Sequence, residues 1–186
     1  QSTIDKDLQK RVLEFFYEIA EKIDLVVFSD FNYGMLPQAL VDDLIMKCRN
    51  HNIVMAADSQ SSSQTGDVAR FRGMHLLTPT EREARISLRN SEDGLVVLAE
   101  KLRMRADASN LILKLGAEGV LLHSFSDEGK TDTDRLPALG YMVRDTAGAG
   151  DSMLISSAMT YAVGGSAWEA AAIGSLAAAI QVSRVG

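Results

Sequence analysis

Two short apolar runs, Leu25-Val26-Val27-Phe28 and Ile53-Val54-Met55-Ala56-Ala57, bracket a segment with Leu40, Leu44 and Ile45 at helical spacing. Of all the features in the sequence, this one limits the fold most. Apolar runs of four or five residues without alternation suit strands covered on both faces. Pro37 stands where the intervening helix would begin, since its fixed φ suits the first turn and its missing N–H is not needed there. Strand, helix and strand in that order predict a parallel pair joined by a right-handed crossover. Upstream, Leu8, Val12, Phe15, Phe16 and Ile19 form a helical stripe within 8–23. Downstream, a short strand is expected near His75-Leu76-Leu77-Thr78, helices from about Thr80 and over 92–105, and a strand over 111–115. Val120-Leu121-Leu122-His123 would pair with that strand across a tight turn. Leu136 to Leu139 and then Tyr141-Met142-Val143 read as a further strand, followed by a helix over 152–161. Ala147, Ala149, Ala158 and the alanine runs at 170–172 and 177–179 imply closely packed helices. The predicted class is α/β, a mostly parallel central sheet with helices on both faces.

Length and composition agree with one globular unit. The 186 residues are 46% hydrophobic and contain no repeat and no long linker. With 19 Lys and Arg against 25 Asp and Glu, and no basic cluster interleaved with aromatics, nucleic-acid binding is not expected. The most apolar long stretch, 170–182, is too short to span a bilayer and no signal-like segment opens the sequence, so no membrane partner and a cytoplasmic location are expected. Cys48 is the only cysteine, which excludes an internal disulfide and a C-x-x-C site; it reads as a core or half-buried side chain. His51, His75 and His123 share no metal spacing and read as surface or strand-end residues, while Met46, Met55 and Met153 read as core filler.

Chemistry concentrates in Asp145-Thr146-Ala147-Gly148-Ala149-Gly150-Asp151. Gly148 and Gly150 remove Cβ crowding, so successive N–H groups can converge on an anion at the positive end of the following helix. Asp151 then falls where an acceptor hydroxyl must lose its proton. In parallel sheets, ligands bind at the carboxyl ends of the strands. The loops there carry Ser29-Asp30-Phe31-Asn32-Tyr33-Gly34, Asp58-Ser59-Gln60, Thr78-Pro79-Thr80-Glu81-Arg82-Glu83 and Gly116-Ala117-Glu118-Gly119. No G-x-x-x-x-G-K-[ST] is present, which excludes a P-loop, and no G-x-G-x-x-G follows the first strand, which argues against a Rossmann dehydrogenase.

The heptapeptide matches at every fixed position the D-T-x-G-A-G-D signature of the PfkB, or ribokinase-like, carbohydrate kinases, and the chain resembles that family over nearly its whole length. Pro79-Thr80-Glu81-Arg82-Glu83 is similar to the family's P-N-x-x-E segment, with Thr80 in place of the asparagine. Lys114-Leu115-Gly116-Ala117-Glu118-Gly119 is similar to its nucleotide-contacting turn. Ser29-Asp30 and Gly34 resemble the S-D-Y-x-K-G segment of heptose-7-phosphate kinases, with Tyr33 in place of the lysine, and Asp58-Ser59-Gln60 replaces the usual D-P-K. The resemblance implies a ribokinase-like fold, and ATP-dependent transfer of the γ-phosphoryl group to a hydroxyl of a sugar or sugar phosphate.

In that scheme Asp151 is the catalytic base, and the N–H groups of Ala149, Gly150 and Asp151, beside Gly148, hold the developing charge. Lys114, Gly116, Gly119, Thr80 and Thr146 would contact ATP, and Asp30 with Asp151 the acceptor. Glu83 would place Mg2+ through water, and Asp145 would help hold a monovalent cation such as K+. The family's members are longer, so residues 1–186 read as a single, partial kinase domain without the lid region, and a homodimer is admitted. The three departures keep a second reading open: a catalytically degenerate nucleotide- or sugar-binding module of the same fold.

Overall fold

The computed structural model describes residues 3–60, 66–125, 129–140 and 144–184. A helix α1 (Lys6–Ile19), capped by the Asp5 carboxylate on the Leu8 N–H at 2.7 Å, leads into strand β1 (Leu25–Asp30). Helix α2 (Gln38–Asn50), with Pro37 at its N-cap, returns the chain to β2 (Val54–Ser59). A short β3 (Leu76–Leu77), α3 (Glu81–Leu88) and α4 (Leu95–Ala106) precede β4 (Asn110–Lys114). Next come β5 (Val120–Phe125), β6 (Thr131–Leu136), α5 (Ala149–Ala162) and α6 (Ala167–Val182). The strands form one six-stranded sheet in the order β1-β2-β3-β4-β5-β6, parallel from β1 to β4 and antiparallel from β4 to β6.

Alternation along the strands divides the core in two. Met55, Ala57, Leu77, Leu111, Leu113 and Leu121 point to the face covered by α1, α2 and α4, where they meet Phe16, Leu40, Val41, Leu44, Leu98 and Leu102. Ala56, Leu76, Ile112, Val120 and Leu122 point the other way and pack under Met153, Leu154 and Ala158 of α5 and Ala171 of α6. Both faces are therefore covered, as the apolar runs imply. In β1, Leu25, Val26 and Val27 are only half-buried, because β1 pairs on one side alone among the described residues.

The last two helices approach closely through small residues. Ser157 Oγ donates to the Ala170 carbonyl at 2.8 Å, and α6 begins in a capping box between Ser166 and Glu169. A Cβ on Gly174 would collide with Ser157 Oγ and lie 3.1 Å from the Met153 carbonyl. The alanine and glycine content of α6 is thus the condition for its seat on α5.

The structure adds one strand the sequence does not suggest and departs from three expectations. Strand β6, Thr131-Asp132-Thr133-Asp134-Arg135-Leu136, shows almost no apolar pattern because all but Leu136 face solvent; its pairing with β5 and the Trp168 indole N–H on Asp134 at 3.0 Å hold it. Of the strand expected after it, Pro137 to Leu139 lack regular structure and Tyr141-Met142-Val143 lie outside the described residues. His123 is not a surface residue: it is buried in β5, with Nδ1 2.7 Å from Thr133 Oγ1 and Nε2 2.8 Å from Glu100 Oε2. Hydrogen bonds from Arg103, and then from His123, hold the Glu100 carboxyl down at about 2. Met46 is 57% exposed on α2 rather than core, whereas Met55 and Met153 are buried as expected. Cys48 is fully buried. No helix among the described residues is long and apolar enough to cross a membrane.

Gly174→Ala should lower the unfolding free energy by about 1–2 kcal/mol in urea titration, overpacking outweighing the better helix propensity of alanine. An unchanged midpoint would show that α5 and α6 can part without cost.

Candidate functional site

The carboxyl ends of β1, β2 and β4 deliver charged residues into one region. Asp58, next to last in β2, is 2% exposed; Lys114, the last residue of β4, reaches it with Nζ at 2.5 Å from Oδ2. The Asp58 carboxylate also accepts the Ser59 N–H at 3.0 Å. Burial pushes the Asp58 carboxyl from its ordinary 3.8 up to about 6, against the pull of the Lys114 ammonium, and the charge of Glu83 adds to the rise. That electrostatic coupling brings Glu83 into the same field.

The segment from Asp145 to Asp151 enters from the other side. Its backbone is pinned to the end of α6, with the Arg144 N–H on the Val182 carbonyl at 2.7 Å and the Gln181 side-chain amide on the Ala147 carbonyl at 3.2 Å. Asp145 Oδ1 accepts the Ala147 N–H at 2.9 Å, and the Ala149 N–H turns toward the Thr146 carbonyl at 3.3 Å. Gly148 forms the N-cap of α5 with φ 73°, a left-handed conformation that favours glycine. The N–H groups of Gly150 and Asp151 have no backbone acceptor among the described residues, as the first turn of a helix leaves them. A Cβ on Gly150 would lie 3.3 Å from Lys114 Nζ and 3.9 Å from Asp58 Oδ2, so the helix N-terminus abuts the ion pair. Asp151, half-buried in that first turn, has Oδ1 3.4 Å from the Gln60 amide nitrogen.

Asp30 lies one strand further along the edge and is 4% exposed. Its Oδ1 accepts the Asn32 N–H at 3.0 Å and its Oδ2 the Arg70 guanidinium at 2.7 Å. Asn32 adopts φ 58° and donates its side-chain amide to the Gln60 carbonyl at 2.8 Å, while the Gln60 N–H bonds the Asp30 carbonyl at 2.8 Å. The loops after β1 and β2 are thereby locked together, and Arg70, at 19% side-chain exposure, faces solvent more than Asp30 does.

Thr80 and Glu83 close α3 with a capping box: Thr80 Oγ1 accepts the Glu83 N–H at 3.2 Å, and Glu83 Oε2 accepts the Thr80 N–H at 2.7 Å. Thr80 also bridges β4 at Lys114, whose N–H bonds the Pro79 carbonyl at 2.8 Å. Gly116 and Gly119 belong to the turn between β4 and β5. Gly119 has φ 91° and a Cβ there would strike the Leu136 carbonyl, so the turn itself requires that glycine. Thr146 is exposed, with its carbonyl serving the loop.

Asp30, Asp58, Gln60, Thr80, Glu83, Lys114, Gly150 and Asp151 thus share one neighbourhood; Asp145, Thr146, Gly116 and Gly119 flank it. The sequence places Asp58 and Gln60 in a strand-end loop without assigning either a role, and it does not single out Arg70. Asp58 had a signal, being the acid that ends the apolar run of β2; Arg70 had none, since its partner lies 40 residues away.

No group of three His, Cys, Asp or Glu among the described residues forms a metal cage. Asp58 and Glu83 in one field suit the other arrangement, a magnesium ion held by one or two carboxylates together with phosphate oxygens. At Asp145 one carboxylate oxygen already serves the loop.

Comparison with known proteins identifies the family and the fold. Residues 4–186 match the sequence profile described as pfkB family carbohydrate kinase. The bifunctional protein HldE of Geotalea uraniireducens is 29% identical over 186 residues, covering 98% of this chain but 36% of that protein. The fold matches phosphofructokinase-2 from Escherichia coli, crystallised with potassium, with TM-score 0.81 at 18% identity over 99% of this chain and 58% of the other. It also matches Arabidopsis thaliana ribokinase complexed with ribose and ATP, with TM-score 0.73 at 18% identity over 100% and 55%. The chain therefore spans little more than a third of the curated relative's length.

Thr80→Ala should lower the unfolding free energy by about 1 kcal/mol through loss of the α3 cap. Equilibrium denaturation with no nucleotide present reads this directly, and an unchanged stability would show that the hydroxyl does not cap.

Proposed function

The chain belongs to the pfkB family of carbohydrate kinases, and on that premise we propose that it transfers the γ-phosphoryl group of ATP to a hydroxyl of a sugar or sugar phosphate. The observation that carries the proposal is the placement of Asp151 in the first turn of α5, beside the open N–H groups of Gly150 and Asp151 and the Lys114–Asp58 pair. An acceptor hydroxyl seated against Asp151 gives its proton to that carboxylate as its oxygen bonds the γ-phosphorus and the bond to the ADP oxygen breaks. Charge growing on the equatorial oxygens meets the two N–H groups and the helix dipole, which need no reorganisation. Gln60 orients the Asp151 carboxylate through its amide. Ala149, whose N–H leans toward Thr146, contributes a third donor once that 3.3 Å contact opens.

Asp30 holds Arg70, and the two would lie on the acceptor side of the site; a guanidinium there suits an acceptor that carries a phosphate. Thr80, Lys114, Gly116, Gly119 and Thr146 form the nucleotide side. Glu83 and Asp58 are the carboxylates that fit magnesium, which when bound neutralises phosphate charge. Asp145 is the residue offered to a monovalent cation, in line with the potassium in the E. coli phosphofructokinase-2 structure. Residues 1–186 act in this reading as one partial ribokinase-like domain, and dependence on ATP fits a cytoplasmic enzyme. The neutral Gln60 beside Asp151 is what favours the second reading, a module that binds nucleotide without turnover.

The test is transfer of label from γ-labelled ATP with magnesium to a panel of sugars and sugar phosphates by the intact protein. Asp151→Asn should lower kcat on order of 10²–10⁴-fold without changing the circular dichroism spectrum. ATP bound with no label transferred to any acceptor, or an Asp151→Asn variant as fast as the parent, overturns the kinase reading.

A further inference from the structure

We propose a second anion site on the outward face of α3, where Arg82, Arg85 and Arg89 take hold of a small molecule carrying two or more phosphate groups. It lies apart from the site around Asp151 and goes beyond the kinase reading.

Helical spacing puts the three guanidinium groups together. At about 100° per residue, Arg82, Arg85 and Arg89 fall within about 60° of one another around the α3 axis. The buried residues of the helix, Glu83, Ala84 and Ser87, occupy the opposite side, so the arginines and the Glu83 carboxylate belong to different faces. The three arginines line a hollow of about 490 Å³, together with Asn90 and Ser91 from the loop to α4. A hollow of that size accepts a small metabolite.

The charges in its wall do not balance. Arginines three and four residues apart on one helix face repel one another. Glu81 is the one carboxylate in the lining, and it is engaged by Arg85, whose Nε donates to Glu81 Oε1 at 2.8 Å. The Asp93 carbonyl accepts both Arg85 Nη groups at 3.2 Å, which fixes the orientation of that guanidinium. The Asp93 carboxylate is taken by Lys101 at 2.6 Å and the Asn90 amide at 2.8 Å. Arg82 and Arg89 are exposed and have no ion-pair partner among the described residues. Two uncompensated cations therefore flank a third held in place, in a chain whose net charge is -6.

The backbone at Arg89 points the same way. Arg89 ends α3 in the left-handed region, with φ 51° and ψ 44°. The other non-glycine residues of positive φ among those described are Asn32, Asn52 and Asp107, whose short polar side chains tolerate it. Helix ends of this shape ordinarily go to glycine. An arginine kept there strains the backbone, and no ion pair of its own offsets the cost; a side chain that lines a hollow and lacks an internal partner accounts for it through a ligand.

Reach sets the class of ligand. From Arg82 to Arg89 the helix rises about 10 Å, more than one phosphate group bridges, whereas a run of phosphates or a molecule phosphorylated at two positions meets all three arginines. Guanidinium forks pair with phosphate oxygens through two parallel hydrogen bonds.

Calorimetric titration of the intact protein with inorganic tripolyphosphate and with orthophosphate, at about 0.15 M salt so that loose attraction is screened, tests the site. Tripolyphosphate should bind on the order of tenfold more tightly than orthophosphate, and Arg82→Gln and Arg89→Gly should each weaken that binding event about tenfold. Glycine takes a φ of 51° without strain, so Arg89→Gly should also raise the urea midpoint, and its lost affinity cannot then come from a damaged fold. Tripolyphosphate affinity equal to the parent's in both variants places the anion elsewhere and overturns the proposal. A parent that binds orthophosphate as tightly as tripolyphosphate, or binds neither, overturns it as well. The kinase reading is decided separately, by label transfer and by Asp151→Asn, neither of which involves these arginines.

Discussion

The parallel register of β1 through β4 is the constraint on which the candidate site depends. Asp30 is paired with Ser59, Ala57 with Leu77 and Leu77 with Leu111, so the strands end along one edge of the sheet. Residues far apart in sequence therefore meet without long loops: Asp30, Asp58, Thr80 and Lys114 each lie at or just past the end of a strand. A slip of one residue would turn the whole alternating set over and put Asp58 on the opposite face from its cation. The two-sided core enforces the register, because Met55 and Ala57 must face one helical layer while Ala56 faces the other.

Given that edge, electrostatics decides what it can hold. The buried Asp58 is kept near Lys114, its carboxyl lifted by burial and by Glu83, and a helix N-terminus is brought against the pair. The N-terminus stays in place because α5 is seated on α6 through Ser157 and Gly174, and because the loop before it is tied to Val182 and Gln181 at the far end of α6. Helix packing at Ser157 and Gly174, together with the ties to Gln181 and Val182, thus fixes where the N–H groups of Gly150 and Asp151 point. For the proposed phosphoryl transfer, this supplies amides and a helix dipole that are already oriented.

Much of this was legible in the sequence where a local pattern carries the physics. The apolar runs of β1 and β2, the helix beginning after Pro37, the hairpin of β4 and β5 and the glycine turn before α5 all follow from short-range rules, and Thr80 caps α3 as a hydroxyl at that position can. What stayed hidden depends on partners distant in sequence. β6 is nearly all polar because it is solvated, and only pairing with β5 makes it a strand. His123 looks like a strand-end residue until Glu100 and Thr133 enclose it, and Met46 falls on the outward side of α2. The Asp30–Arg70 and Asp58–Lys114 pairs bridge 40 and 56 residues, and no window of sequence contains them.

The most direct measurement is a crystal structure of the intact protein with ADP, magnesium and aluminium fluoride, a mimic of the phosphoryl group in flight. The account predicts the fluoride at the first turn of α5, within hydrogen-bond distance of the Gly150 and Asp151 N–H groups and of Lys114 Nζ, with the Asp151 carboxylate on its open side. A mimic bound elsewhere on the molecule, or nucleotide bound with the fluoride absent from that turn, would contradict it.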